Sequence, residues 1–234
     1  METRISVAKV NKSLSDNGGD IIEVIERPNN GISLVFADGQ IYGESSRSIS
    51  SSVVRSVISL LADGVRDGAA ARAASDQLYS SMNGTAQASL NILSVDLQTR
   101  TIVLTRNNPI PIFVARDVDI ECIQSDSSFI GNSQNIRPSI SEFTIESRIT
   151  IIIFSDGIYN AGKKYNTSID ICTLLESQLD EMQPSPDEIT NTILSEAIRL
   201  DQGRPLDDMS VIVLRIFSQS TDSVRRLSIS FPFP

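Results

Sequence analysis

The stretch Ser147-Arg-Ile-Thr-Ile-Ile-Ile-Phe-Ser-Asp-Gly157 decides the fold, because an apolar, β-branched run ends there in Ser-Asp-Gly. Such a run is typical of a buried strand, so Asp156 would present its carboxylate where the strand stops. A second stretch, Ile32-Ser-Leu-Val-Phe-Ala-Asp-Gly39, repeats the pattern. Either stretch alone is also typical of an ordinary strand and turn. The two together, with further aspartates at strand edges, indicate a metal centre.

The composition excludes several classes of function. The 234 residues carry a net charge of −9. This argues against nucleic acid as the main ligand, because phosphate backbones are bound by clustered Lys and Arg. The acidic balance fits either carboxylates gathered around a cation or a need for solubility alone. The chain contains no histidine, which excludes His-ligated zinc and the Ser-His-Asp and Cys-His catalytic arrangements.

Cysteine placement and hydropathy bear on the cellular location. Cys122 and Cys172 lie in different predicted elements and form no metal-binding spacing, so a reduced, cytosolic protein is expected. The longest apolar run, Ile149 to Phe154, is far shorter than the roughly 20 residues of a membrane span. No secretory leader is expected at the N-terminus. The sequence therefore predicts a cytoplasmic protein that does not bind membranes.

The first third of the chain predicts strands followed by two helices. Strands are expected over residues 4–10, 21–26 and 32–37, and the last two form a hairpin. In antiparallel neighbours, the residue entering the first strand lies beside the residue leaving the second. Asp20 and Asp38 would therefore converge. Helical periodicity follows over residues 45–61 and 69–82, where the apolar stripes would face the core.

The rest of the chain predicts more strands and a second pair of helices. Three hairpins are expected, namely 88–97 with 101–105, 110–115 with 118–123, and 140–145 with 148–155. A helix is expected over residues 167–182. The next helix would begin with Ser185 as N-cap, Pro186 in the first helical position and Glu188 completing a capping box. A last strand covers residues 210–217.

This order of elements predicts an α+β fold. Strands come in two batches, and a pair of helices follows each batch. A four-layer α-β-β-α sandwich satisfies this order, because each mainly antiparallel sheet needs a helix pair over its outer face. We expect one domain over residues 1–218 and a C-terminal tail over residues 219–234, where no packing pattern is visible.

Aspartates stand at two predicted strand entries, Asp20 and Asp207, and at two strand exits, Asp38 and Asp156. If entry and exit strands run antiparallel, all four carboxylates meet at one end of the sandwich. Carboxylates a few ångströms apart raise one another's pKa, and divalent cations remove that conflict. Oxygen ligands without His or Cys favour Mg²⁺ or Mn²⁺ over zinc. Two such ions about 3.5–4 Å apart would activate a bridging water for attack on a phosphate ester.

Several motifs resemble those of the PPM-type metal-dependent serine/threonine phosphatases. They are Phe36-Ala37-Asp38-Gly39, Phe154-Ser155-Asp156-Gly157 and Asp207-Asp208-Met209-Ser210-Val211, in that order. Gly18-Gly19-Asp20 is similar to the Gly-Asp of the bacterial SpoIIE-like branch, and Asn107-Asn108-Pro109 stands where that branch usually has Gly-His-Pro or Gly-Asn-Pro. The resemblance spans residues 4–217 and implies the family's α-β-β-α sandwich.

The resemblance also implies a role for each matching residue. Asp38 would be the catalytic carboxylate, which bridges two ions and positions the metal-bound water. The backbone carbonyl of Gly39 would be a further ligand. Asp20 would bind one ion, and Asp156 with Asp207 would complete the coordination of the other.

The sequence also departs from the family. Asp208, beside Asp207, stands in the place of a polar neighbour and is a reserve ligand. The segment from Gln40 to Ser45 replaces a small Gly-containing turn, and the helix after it switches activity in relatives, so regulation would differ. No residue matches the histidine near the leaving group or the arginine on the phosphate in eukaryotic relatives.

The sequence therefore predicts a Mg²⁺- or Mn²⁺-dependent phosphatase that hydrolyses phosphoserine and phosphothreonine. Its partner would be a phosphorylated bacterial signalling protein, such as an anti-sigma-antagonist-type regulator. The alternative is a catalytically silent protein of the same fold that binds or signals. The retained aspartates favour the enzyme, and the altered turn at residues 40–45 favours the silent protein.

Overall fold

Two antiparallel sheets face one another and bury their apolar sides between them. The computed structural model of the chain describes residues 1–13, 18–117, 119–181, 184–218 and 222–230. The first sheet contains, in spatial order, β1 (Glu2–Val10), β11 (Met209–Phe217), β10 (Ile149–Phe154), β7 (Ile112–Arg116) and β8 (Asp119–Ile123). The second contains β2 (Ile21–Glu26), β3 (Ile32–Ile41), β5 (Ala86–Asp96), β6 (Thr101–Asn107) and β9 (Ser139–Thr144), and β4 (Glu44–Ser45) pairs with β3.

The inner faces of the sheets form the central apolar core. Alternate residues of each strand face this core, as the period of two along a strand requires. Leu34 and Phe36 of β3 pack there with Ile151 of β10 and Leu214 of β11, all fully buried. The core therefore fixes which side chains of each strand lie between the sheets, including those at the end where the aspartates lie.

A pair of helices covers the outer face of each sheet. Helices α1 (Arg47–Ala62) and α2 (Asp67–Met82) pack on the second sheet, with Val53 and Leu78 in their buried stripes. Helices α4 (Ile171–Glu181) and α5 (Pro186–Leu200) pack on the first sheet. A single turn, α3 (Asp156–Tyr159), follows β10. The predicted α+β four-layer sandwich is confirmed. None of the helices in the described residues is long and apolar enough to cross a membrane.

The predicted start of α5 is also confirmed. The Ser185 hydroxyl accepts a hydrogen bond from the Glu188 backbone N–H at 3.2 Å, and a Glu188 carboxylate oxygen accepts one from the Ser185 backbone N–H at 2.6 Å. Pro186 occupies the first helical position. These are the reciprocal bonds of a capping box, which satisfies two otherwise unpaired donors of the helix terminus.

The predicted hairpin of residues 140–145 with 148–155 is wrong. Strand β9 pairs with β6 in the second sheet, and β10 pairs with β7 and β11 in the first. The chain crosses between the sheets at residues 145–148, where Arg148 has a positive φ of 68°. Phe143 and Ile151 both face the central core. Hydrophobic alternation cannot distinguish a hairpin within one sheet from a crossing between two, because both bury the same faces.

Several element boundaries differ from the predicted ones. Strand β3 continues through Asp38 and Gly39 to Ile41, because it pairs with β5 along this whole length. Helix α4 begins at Ile171, and the Asp170 carboxylate accepts a hydrogen bond from the Thr173 N–H at 3.1 Å. The predicted strand start at 118 and helix end at 182 lie outside the described residues. Residues 222–230 are exposed and form neither helix nor strand; the domain boundary at 218 stays a prediction.

Candidate metal centre

Asp20 and Asp38 face one another across the β2–β3 pair. The register pairs Ile21 with Ala37, so Asp20, one residue before β2, lies beside Asp38. Asp20 is only 2% exposed. One of its carboxylate oxygens accepts a hydrogen bond from the Ser210 hydroxyl at 2.6 Å. Because Ser210 belongs to β11, this bond joins the two sheets at the end where the aspartates lie.

Gly157 brings Asp156 close to the start of β11. A Cβ at position 157 would overlap the carbonyl oxygen of Asp208, so only glycine allows the two backbones to lie this close. The Ser155 hydroxyl donates to the same carbonyl at 2.9 Å and accepts a hydrogen bond from the Ser210 N–H at 2.9 Å. Asp156 therefore begins α3 directly beside the Asp207–Asp208 segment.

Asp208 and Asp207 have different environments. Asp208 is buried, and its carboxylate accepts hydrogen bonds from the Lys12 N–H, at 2.7 Å, and from the Gly19 N–H. These bonds tie the segment before Asp20 to the start of β11. Asp207 is exposed, and its carboxylate accepts a hydrogen bond from the Asp208 N–H at 2.9 Å. Sequence reasoning treated Asp208 only as a reserve ligand and missed this structural role, because its donors are backbone groups.

Burial and mutual repulsion raise the pKa of three of these carboxyl groups. Burial is the largest cause in each case. It raises the pKa of Asp20 well above its ordinary value, with further contributions from Asp38, Asp208 and Asp156. The pKa of Asp38 is raised to about 7 by burial and then by Asp156, Asp207 and Asp208. The pKa of Asp156 is raised by burial and then by Asp207. Ionising the whole set is unfavourable, and a bound divalent cation would offset that cost.

The donors fit hard divalent cations, although they do not form a closed ligand group. The acidic groups offer oxygen ligands, which suit Mg²⁺ and Mn²⁺. The Lys9 ammonium lies beside them and donates to the Asp20 carbonyl at 2.9 Å. Among the described residues, no three acidic, His or Cys side chains are arranged as a complete metal-binding group. Asp208 is bonded to backbone donors and Asp207 is exposed, which accounts for the open arrangement. The carboxylates are close enough to raise the pKa of their neighbours, but they do not converge on one point.

Gly39, the predicted carbonyl ligand, is hydrogen-bonded through both of its backbone groups. Its N–H donates to the Ser50 hydroxyl at 2.7 Å, and its carbonyl accepts a hydrogen bond from the Ser46 N–H at 2.7 Å. A Cβ at this position would come within 2.6 Å of the Ser50 nitrogen, so glycine allows α1 to pack closely on β3. A carbonyl oxygen has two lone pairs, so one remains for a cation.

A cleft of about 190 Å³ opens beside Asp38 and Asp156. Besides these two, its lining is mostly polar and uncharged: Gln40, Gln87, Ser89, Asn108, Ser155, Tyr159 and Asn160, with Ala88, Ile110 and Phe129. A larger groove of about 540 Å³ lies on the outer surface of α1 and α2, lined by serines, Arg55 and Gln77. Of these two, the smaller cleft is the relevant one, because Asp38 and Asp156 line it.

Asn108 is held at the wall of this cleft by its neighbours. It is 2% exposed, its side-chain oxygen accepts a hydrogen bond from the Ile110 N–H at 2.9 Å, and its own N–H donates to the Ser127 hydroxyl at 3.2 Å. The buried Arg106 guanidinium donates to the carbonyls of Ile110, at 3.2 Å, and Gln124, at 3.0 Å. Sequence reasoning missed Arg106. Ile102, Leu104 and Arg106 occupy every second position of β6, and this spacing could have predicted that Arg106 faces the same buried side as the other two.

A family model described as Stage II sporulation protein E (SpoIIE) matches residues 28–217. The chain belongs to the SpoIIE family. The matched range includes Asp38, Asp156 and Asp207, whereas Asp20 lies outside it.

Two curated relatives carry the name Stage II sporulation protein E. The protein from Priestia megaterium is 24% identical over 199 residues, which is 85% of this chain and 34% of the relative. The protein from Bacillus subtilis (strain 168) is 22% identical over 199 residues, 85% of this chain and 24% of the relative. The chain thus spans about a third of the length of the first relative and about a quarter of the length of the second.

Solved structures of this family and of related phosphatases share the fold. The PP2C phosphatase domain of SpoIIE from Bacillus subtilis, with a fragment of its regulatory domain, matches with a TM-score of 0.79 at 20% identity, over 94% of this chain and 64% of that chain. RsbX in complex with magnesium matches with a TM-score of 0.69 at 15% identity, over 91% and 94%. A Mycobacterium tuberculosis serine/threonine phosphatase matches with a TM-score of 0.68 at 15% identity, over 92% and 99%. The chain has the PPM-type serine/threonine phosphatase fold.

Proposed function

We propose that this chain is a Mg²⁺- or Mn²⁺-dependent protein phosphatase that hydrolyses phosphoserine and phosphothreonine. The observation that carries the proposal is the gathering of buried carboxylates beside one cleft, which Asp38 and Asp156 line. Asp156 raises the pKa of Asp38, and both raise the pKa of Asp20. Carboxylates are brought together at such a free-energy cost where a cation is to be bound. Membership of the SpoIIE family and the magnesium complex of RsbX support this reading.

Two ions would be held by the residues that the sequence predicts. Asp38 would bind both ions. Asp20 would bind one ion, and Asp156 with Asp207 would complete the coordination of the second. The Gly39 carbonyl would add a further oxygen ligand. When bound, such ions neutralise charge on phosphoryl oxygens and lower the pKa of water. Because Asp207 is exposed, we expect its side chain to turn inward on metal binding. Asp208 would keep its hydrogen bonds to the Lys12 and Gly19 backbone and so hold Asp20 in position.

The polar lining of the cleft would orient the phosphate. The side-chain oxygen of Asn108 is engaged by Ile110, which leaves its amide nitrogen as the donor available to a phosphoryl oxygen. Ser89 and Asn160 line the same cleft and can donate as well. The chain has no histidine to protonate the leaving oxygen. We therefore expect water in the open cleft to supply that proton.

The physiological partner belongs to the proposal too. A phosphoprotein of a bacterial signalling pathway, such as an anti-sigma-antagonist-type regulator, fits a chain of this family in a cytoplasmic setting. The curated relatives are three to four times longer than the matched segment, so their partners are not carried over to this chain as facts.

Hydrolysis of para-nitrophenyl phosphate tests the proposal. We expect turnover with Mn²⁺ or Mg²⁺, none after chelation, and none in Asp38→Asn. The control is Asp63→Asn, because Asp63 is exposed at the end of α1. The catalytically silent alternative is favoured by the open arrangement of the carboxylates. It would be supported if Mn²⁺ neither permitted turnover nor raised the melting temperature.

A further inference from the structure

Lys163 lies at the edge of the cleft, and Lys164 is the next residue in the chain. Residues Lys163–Tyr165 form a short 3₁₀ turn shortly after α3. The Lys163 ammonium donates to the side-chain oxygen of Asn160 at 2.6 Å and lies 4.6 Å from the centre of the Tyr159 ring. Tyr159 and Asn160 both line the cleft. Lys163 therefore places a positive charge on the rim of the proposed active site.

These lysines have no carboxylate partner in the part of the chain that the structure describes. The ion pairs found there involve Arg4, Arg27, Arg116, Arg148, Arg199, Arg225 and Arg226, and neither Lys163 nor Lys164. Both lysines are exposed. No Lys or Arg lines the cleft itself. In a chain of net charge −9, Lys163 thus places on the rim a cation that pairs with no acid among the described residues, and Lys164 adds a second such cation next to it in the chain.

The backbone under the lysines is anchored to α5. Gly162, with a φ of 79°, donates its N–H to the Asp201 carboxylate at 2.9 Å, and Asp201 is 2% exposed. The Gly162 carbonyl accepts hydrogen bonds from the N–H groups of Tyr165, at 2.8 Å, and Thr167, at 3.1 Å. A fixed turn presents the two side chains, so less ordering is required when a ligand binds.

We propose that Lys163 and Lys164 form a subsite for an acidic side chain that flanks the phosphorylated residue of the substrate. The inference rests on the proposed phosphatase function and names its substrate class: phosphoserine or phosphothreonine segments with Glu or Asp nearby. The exposed Tyr159, 42% accessible, offers an apolar surface for the backbone between the two charges. Complementary charge of this kind selects partners and speeds their association.

The test uses two phosphoserine peptides that differ only in flanking Glu or Gln residues. For the Mn²⁺-loaded wild-type protein we expect kcat/KM to favour the Glu peptide about five- to tenfold at low salt. That ratio should fall to within about twofold in Lys163→Gln/Lys164→Gln and in 0.5 M salt, because the charges are exposed and screened. Lys163→Arg/Lys164→Arg should keep the preference. The matched control is Arg66→Gln/Arg72→Gln, at the N-cap and in the second turn of α2, where both arginines are exposed. This variant should also keep the preference for the Glu peptide.

The outcomes separate this inference from the proposed function. The subsite would be overturned if both peptides were hydrolysed without a preference for Glu, or if the preference survived in Lys163→Gln/Lys164→Gln. Either result would leave the proposed phosphatase function standing. If no phosphate ester is hydrolysed with Mn²⁺, the proposed function and the subsite are overturned together.

Discussion

Gly157 and Asp208 lie in direct backbone contact, because a Cβ on Gly157 would overlap the carbonyl oxygen of Asp208. This contact joins the end of β10 to the start of β11 and sets Asp156 beside Asp207. The same carbonyl accepts the hydrogen bond of Ser155. The spacing of the candidate ligands therefore depends on a position that has no side chain.

We expect Gly157→Ala to separate these two segments. The overlap is with backbone, which cannot rotate away, so unfolding free energy should fall by about 1–3 kcal/mol and Mn²⁺-dependent turnover should be lost. The control is Gly68→Ala, where a Cβ would come within 3.0 Å of the flexible tip of Ile140. Urea unfolding and phosphate-ester hydrolysis measure the two effects. Equal stability and activity in Gly157→Ala would contradict the role of the contact.

Removing the Asp38 carboxylate should stabilise the metal-free protein and abolish its response to metal. The pKa of this group is raised to about 7 by burial and by its acidic neighbours, so Asp38→Asn removes a charge that is unfavourable above that pH. We expect a higher melting temperature than wild type at pH 8 without metal, and little further rise with Mn²⁺. A lower melting temperature for Asp38→Asn under these conditions would show that its carboxylate is not electrostatically strained.

The stability of the metal-free protein should fall as pH rises from about 4 to 7. The ordinary pKa of an Asp is about 3.9, and the folded-state pKa of Asp38 is raised to about 7. The folded state therefore binds more protons than the unfolded state in this window, and unfolding free energy decreases with pH. Asp38 accounts for at most about 4 kcal/mol of this decrease in unfolding free energy.

The chain is well suited to this measurement because it contains no histidine, which would otherwise titrate in the same range. Urea unfolding at pH 5 and pH 8, with and without Mn²⁺, measures the effect. We expect saturating Mn²⁺ to remove most of the loss at pH 8. Stability that rises between pH 5 and pH 8 without metal would contradict the clustered carboxylates.

A buried ion pair supports the opposite end of the second sheet. Arg27 donates to Asp67 at 2.9 Å, both side chains are about a tenth exposed, and the Ser94 hydroxyl donates to the other Asp67 oxygen at 2.5 Å. Asp67→Asn should lower unfolding free energy by about 3 kcal/mol, because it leaves the Arg27 charge buried without a partner. The exposed pair Arg148–Asp117 gives the control, and Asp117→Asn should cost less than about 1 kcal/mol. Similar values for both variants in urea unfolding would contradict this difference.

Much of the fold follows from local patterns in the sequence. Period-two alternation predicts most strands, the capping box predicts the start of α5, and antiparallel pairing predicts that Asp20 lies beside Asp38. The crossing between β9 and β10 could not be predicted, because Phe143 and Ile149 would face an apolar core in either arrangement. Boundaries such as the end of β3 depend on pairing with β5, which is a non-local interaction.

The candidate carboxylates could be identified from the sequence, but the hydrogen bonds that hold them in place could not. The Asp-Gly pairs mark Asp38 and Asp156 because aspartate after an apolar run is a local signal. The bonds from Asp208 to the Lys12 and Gly19 backbone join residues about 190 positions apart, and no side-chain pattern encodes them. Other polar groups that line the cleft, such as Ser89 and Asn160, become visible only when the two sheets are assembled.

Mn²⁺ titration calorimetry on the wild-type chain and on Asp38→Asn tests the central claim most directly. The gathered aspartates predict two Mn²⁺ ions per chain for the wild type, with binding strongly weakened and para-nitrophenyl phosphate turnover lost in Asp38→Asn. No binding to the wild type, or the same stoichiometry and affinity in both proteins, would contradict it.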